Sequence, residues 1–244
     1  MAESCLNALP WGLRRTPVRP ADLETSGCVV VPEGARLSGK TAGALVRICA
    51  HEHRRRQAAS LGALTDLALL DVLMNMPIGE ALPRSVLSPD EQDVLNRAPR
   101  GVVELRGPSI VRIADRPVEV DAVIASGSSW RQLVRGLAAF GGVAQRIAVL
   151  DTEPLDVRDL MWEAEATGVG VWLSRADGPI EVLAPEVFTP TYVKPARWRF
   201  QEYAYRELFK STSQPAWWNA PSGRRSHTGF GECDQPEVTT LQFG

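Results

Sequence analysis

The stretch 118–173 constrains this chain most, because its apolar pattern fixes both the type of each element and the way the elements connect. Val118-Glu119-Val120-Asp121-Ala122-Val123-Ile124 alternates and then turns wholly apolar, as a strand does on entering a core. Ser129 stands where the next helix needs an N-cap, and Gln132, three residues on, has the spacing of a capping box. Residues 146–150 then read as a buried strand, 157–166 as a helix and 169–173 as a further strand. Strands alternating with helices require crossover connections, so the pattern predicts a mixed α/β (α+β) protein: a partly parallel sheet flanked by helices.

Around this stretch the chain divides into five parts. Residues 1–26, with Pro10, Pro17 and Pro20 and the pair Arg14-Arg15, read as an irregular arm. Residues 27–56 supply the first part of the α/β core: a strand over 27–31, then a segment over 41–48 that suits either strand or helix. Residues 57–117 form a helical insertion. Its first helix is expected over 61–76, with Leu64, Leu67, Leu70, Leu73 and Met74 on one face and Pro77 ending it. Ser88-Pro89-Asp90-Glu91 opens a second helix with an N-cap serine, proline at the first helical position and acids in the first turn. Residues 102–105 and 110–113 then predict a hairpin. This succession is that of a winged helix. Residues 118–210 carry the main part of the core, closing with an amphipathic helix over 197–210, and 211–244 read as a flexible tail without apolar period.

Charge excludes a binder that relies on its overall field: 27 basic and 29 acidic residues leave the 244-residue chain at −2. Lys40, Lys194 and Lys210 are the only lysines, so the other 24 basic residues are arginine, a bias that fits a GC-rich, actinobacterial type of bacterial genome. Four cysteines without framework spacing fit a reducing cytoplasm. No apolar run approaches the roughly 20 residues of a membrane span, and the N-terminus has no signal-peptide pattern, so a cytoplasmic protein is expected.

Gly34-Ala35-Arg36-Leu37-Ser38-Gly39-Lys40-Thr41 matches the phosphate-loop pattern G-x-x-x-x-G-K-[ST] and follows a strand. In such a loop backbone amides cradle phosphates, the lysine reaches the β and γ oxygens, and the threonine binds magnesium. Asp151, closing the strand before it, is then the second magnesium ligand, so Gly34, Gly39, Lys40, Thr41 and Asp151 form a Mg-nucleotide candidate. The alternative for the same residues is a hairpin over 33–41. Cys49, His51 and His53 lie two apart, the wrong spacing for one helical face, and offer no zinc site. Ser126-Gly127-Ser128-Ser129 lacks the G-x-S-x-G pattern of a nucleophile elbow and is better used in capping.

The element order over 118–210 resembles the restriction-endonuclease-like, or PD-(D/E)XK, fold, and rests on three features. Trp130 opens the helix after the first strand, as in E-x-K-x-x-x-W; the strand 146–150 follows; and Gly168-Val169-Gly170-Val171 stands where that family has a G-V-G sequence. The resemblance implies a restriction-endonuclease-like central sheet interrupted by the winged-helix-like insertion. It also implies where a metal site belongs, and there the residues differ. The acid-x-Lys positions, counted back from Trp130, hold Ile124 and Ser126, and the earlier acid falls near Gly43. Two carboxylates and a lysine hold magnesium and polarise water in such nucleases. Glu119 and Asp121 are nearby but no lysine accompanies them. The reading is therefore a non-catalytic relative without cofactor, a pseudonuclease with a DNA-binding or regulatory role.

Its contacts with DNA are expected from Arg54, Arg55, Arg56, Arg97 and Arg100. The helix after Ser88 carries Asp90, Glu91 and Asp93, which repel phosphates and suit a protein partner instead. Trp217 and Trp218, adjacent in a polar tail, are a second candidate for a protein contact. A scaffold without DNA affinity is the remaining class.

Overall fold

A computed structural model of the chain describes residues 29–31, 35–37, 39–189 and 194–209. Arg14-Arg15, Gly34 and the Trp217-Trp218 pair lie outside these residues. Six strands form the central mixed sheet: β1 (Val29–Val31), β4 (Gly43–Ile48), β8 (Val118–Gly127), β9 (Gln145–Leu150), β10 (Gly170–Leu173) and β11 (Ile180–Leu183). They lie side by side in that order. Between β1 and β4, the short strands β2 (Arg36–Leu37) and β3 (Lys40–Thr41) pair with each other. β1, β4 and β8 pair antiparallel, β8, β9 and β10 pair parallel, and β11 closes the far edge antiparallel to β10.

The parallel run exists because two helices carry the chain back across one face. Among the helices, α4 (Trp130–Ala138) connects β8 to β9, α5 (Val157–Thr167) connects β9 to β10, and α6 (Pro195–Leu208) packs beside them. Right-handed crossovers stepping the same way must lie on the same face, and alternation along the strands agrees. Val120, Val123, Ala148, Leu150 and Val171 face Trp130, Val134, Leu137, Leu160, Phe200 and Ala204 from the three helices. Leu45, Ala122, Ile124, Ile147, Val149 and Trp172 face the other way, each fully buried; among the described residues this second cluster draws only on strands.

Between β4 and β8 the chain leaves the sheet through α1 (Ala50–Ala59) and builds a smaller unit. It comprises α2 (Leu67–Met74), β5 (Ala81–Pro83), a one-turn 3-10 helix (Arg84–Val86), α3 (Pro89–Asn96), β6 (Val103–Arg106) and β7 (Ser109–Arg112). β5, β7 and β6 make a three-stranded antiparallel sheet. Leu69, Leu70, Leu73, Leu95 and Ile110 form its core, and Trp198 of α6 inserts into that core.

Local chemistry explains where elements start and stop. The Ser88 hydroxyl accepts from Glu91 N–H while the Glu91 carboxylate accepts from Ser88 N–H, a complete capping box for α3. α2 is shorter than the apolar pattern over 61–76 predicts. Asp66 caps its start, accepting from Ala68 N and Leu69 N, and the Leu64 N–H is taken by Glu202 at 2.9 Å. Leu61 and Leu64 are buried all the same, so the pattern records burial rather than helix. Ser129 occupies the N-cap of α4, but its side chain makes no capping hydrogen bond, and the expected box with Gln132 is absent.

Candidate functional site

The run Arg54-Arg55-Arg56 on α1 splits three ways. Arg54 is exposed, Arg55 half-buried and Arg56 wholly buried. A guanidinium has five N–H donors, and Arg56 uses all of them. Nε donates to Glu52 at 2.7 Å; Nη1 donates to Glu202 at 2.7 Å and Gly62 O at 3.2 Å; Nη2 donates to Glu202 at 2.8 Å and Asp115 O at 2.7 Å. Nothing remains for a phosphate, so the expectation that Arg56 contacts nucleic acid is corrected: it is a structural residue. Burial alone would lower its proton affinity, but the carboxylates of Glu202 and Glu52 reverse that and raise it. Glu52, though buried, is held below the usual carboxylate range by Arg55 and Arg56, whereas burial pushes Glu202 up against the pull of Arg56.

This network ties the inserted unit to the core. Glu202 also accepts from Leu64 N and from Trp198 Nε1 at 2.9 Å. Arg112 of β7 lies over the Trp198 ring at 4.7 Å and donates to Leu73 O and Met76 O at the end of α2.

Arg97 and Arg100 are exposed in the turn after α3. Arg55 Nη1 donates to Gly101 O at 2.6 Å, which holds that turn against the C-terminal half of α1. The turn carrying exposed Arg97 and Arg100 thus lies next to α1, which carries exposed Arg54. On α3 itself Asp90 and Asp93 are exposed, while Glu91 is engaged in the cap.

On the central sheet, Gly43 of β4 and Ile124 of β8 are direct partners across the ladder, with Ser126 two residues further along. Glu119 and Asp121 lie at the start of β8 and answer Arg47 of β4. Arg47 Nε and Nη2 donate to the two Asp121 oxygens at 2.9 and 2.8 Å, and Nη2 meets Glu119 at 2.7 Å. Burial raises the Glu119 carboxyl, one oxygen of which has no partner among the described residues, and lowers nearby Arg116 to about 10.

The phosphate-loop pattern lies on a hairpin, the alternative the sequence left open. β2 pairs with β3 around Gly39, whose φ of +82° suits a residue without Cβ. Ala35 and Leu37 are buried against the core that α6 helps to form. The chain then runs into strand β4, so no helix N-terminus stands where a phosphate loop delivers one. Asp151 is exposed just past β9, separated from β4 by β8.

One cavity contains residues that the sequence did not single out. About 510 Å³ in volume, it lies between the Gly141-Gly142 turn, Arg146 at the start of β9, Glu186, and Lys194 and Arg197 at the head of α6. The legible signals were slight: an arginine inside an otherwise apolar strand, and a glycine pair after a helix. Among the described residues no group of three or more His, Cys, Asp or Glu side chains is arranged to hold a metal ion, and no helix is long and apolar enough to cross a membrane. Comparison with protein-family models, curated proteins and solved structures gave no match.

Proposed function

We propose that this chain is a non-catalytic, nucleic-acid-associated protein built on a nuclease-like core that lacks the acid-x-Lys metal site. One observation carries the nucleic-acid part: the 2.6 Å hydrogen bond from Arg55 to Gly101 O, which holds the turn of exposed Arg97 and Arg100 against α1, the helix of exposed Arg54. Separated cations add little, whereas clustered ones release several condensed counterions together on meeting a phosphate backbone. The non-catalytic part is supported by the pairing of Gly43 with Ile124, since a nuclease of the resembled family needs carboxylates there. Glu119 and Asp121 do not replace them, because Arg47 already engages both.

The inserted unit supports a winged-helix reading through its order of helix, strand, one-turn helix, helix and hairpin with a three-stranded sheet. Asp90 and Asp93 on α3 argue that this helix is turned to a protein rather than to a major groove. The hairpin geometry of 36–41 gives the nucleotide-binding alternative no support.

The experiment is fluorescence anisotropy of labelled duplex DNA with magnesium present, comparing the native chain with the triple variant Arg54→Ala, Arg97→Ala, Arg100→Ala. The proposal expects binding without cleavage, and a salt slope shallower in the variant by roughly one unit for each phosphate that an arginine no longer neutralises. Equal binding and equal slope in the two proteins would refute the arginine face.

A further inference from the structure

The cavity at the head of α6 is walled by two guanidiniums that the protein answers only in part. Arg197 is only 6% exposed. Its Nε donates to Val143 O at 3.3 Å and its guanidinium lies 5.1 Å from the Phe188 ring, but neither of its Nη groups has a protein acceptor among the described residues. The Arg146 side chain is 12% exposed. Its one carboxylate partner, Glu186, lies at 3.3 Å and is itself 69% exposed, and Arg146 Nε is buried with no partner among the described residues. Burial lowers the proton affinity of both groups, the mark of charge removed from water without full compensation.

The surroundings make room for these cations. A Cβ on Gly141 would lie 2.9 Å from Arg146 Nη1, and one on Gly168 would lie 2.9 Å from Arg146 Nη2, so two glycines keep the guanidinium's place open. Lys194 adds a third cation where α6 begins, the positive end of its dipole.

We propose that this cavity binds a phosphomonoester dianion. The guanidiniums of Arg146 and Arg197 give the cavity a positive wall, which suits the charge of about −1.5 to −2 on a phosphomonoester near neutral pH. Two guanidiniums with N–H groups that no described residue answers suit its oxygens better than point charges do, because their planar forks donate in pairs. The volume of about 510 Å³ fits a carrier the size of a mononucleotide. Glu186, mostly exposed, accepts from hydroxyl or amino groups of that carrier. The carrier is a free small molecule or the 5′ end of a nucleic acid strand; the phosphate chemistry is the same. This inference uses none of the residues of the exposed arginine face and stands apart from it.

The test is calorimetric titration of the full chain at low salt with inorganic phosphate, AMP and, as the unphosphorylated control, adenosine. Phosphate and AMP are expected to bind and adenosine not. Arg197→Met and Lys194→Ala should each weaken AMP by about tenfold or more, as expected for the loss of a charge-assisted hydrogen bond. Lys194→Ala, at an exposed helix cap, keeps the test valid if Arg197→Met misfolds. A 5′-phosphorylated oligonucleotide that binds better than its 5′-hydroxyl twin assigns the site to a strand end, and equal binding of the two with AMP retained assigns it to a free small molecule. Absence of binding by both phosphate and AMP up to about 10 mM, or undiminished binding by both variants, would overturn the proposal.

Discussion

Arg56, packed against α6, and Arg197, in its first turn, are both buried, and they differ in what answers them. Arg56 meets two carboxylates and two backbone carbonyls, so every donor is used and its charge is balanced within a closed network. Arg197, like Arg146 on the same cavity, has one hydrogen-bonded acceptor among the described residues. The first arrangement ties α1 and the inserted unit to α6. The second resembles an incomplete structural site and makes sense when a ligand completes it. Burial of a charge, taken alone, therefore says nothing of its role; the satisfaction of its donors does.

The largest effect that would sharpen this contrast is on Arg56. Arg56→Met leaves Glu202 buried without its cation, while Glu52 keeps Arg55, and breaking such a buried pair costs about 3–5 kcal/mol. The melting temperature should then fall by on the order of 10 °C, read by differential scanning calorimetry. An unchanged melting temperature would dissolve the distinction. Glu202→Gln should cost less, about 2 kcal/mol, because the amide keeps one acceptor oxygen, for either Leu64 N or Trp198 Nε1 but not both, while part of the ion pair is lost. A double-mutant cycle with Arg56→Met should show strong non-additivity. Arg197→Met belongs to the other class: it removes an under-satisfied buried charge, and its stability should lie within about 1 kcal/mol of the native chain on either side. A loss as large as that of Arg56→Met would make Arg197 structural too.

The smallest effect is a pH dependence. His53, stacked on Phe209 and 3.0 Å from the Tyr205 hydroxyl, is pushed below its ordinary value of 6.5 by burial. The unfolded chain therefore binds the proton first, and stability should fall as pH drops through about 6.5 towards the lower native value. The slope in that window is at most about 1.4 kcal/mol per pH unit. Chemical denaturation at several pH values should show it, and His53→Gln should flatten it.

Much of the fold was legible because it is locally encoded. The crossover units from β8 to β10 follow from apolar periodicity, and the start of α3 follows from Ser88-Pro89-Asp90-Glu91. The start of α2 was not, because Leu61 and Leu64 are buried without being helical and the group that takes the Leu64 N–H lies 138 residues away. Arg56 escaped for the same reason. A basic run looks solvated until its partner Glu202, 146 residues on, is brought beside it. The G-x-x-x-x-G-K-T pattern misleads in the other direction, since Ala35 and Leu37 within it are core residues of a hairpin. At the candidate sites, exposed Arg54, Arg97 and Arg100 could be picked from charge alone, but the cavity of Arg146 and Arg197 could not. Its residues are spread over 141–197 and converge only through the sheet and α6.

With Arg56 assigned to the core, the exposed face of Arg54, Arg97 and Arg100 carries the nucleic-acid proposal. The most direct test is the binding of duplex DNA at two salt concentrations with magnesium present, followed by anisotropy and by gel for intact product. The account predicts affinity that drops steeply with salt, is weaker and less salt-dependent in the triple arginine variant, and leaves the DNA uncut. No binding at low salt would contradict the association with nucleic acid, and cleavage abolished by Asp121→Ala would contradict the non-catalytic core.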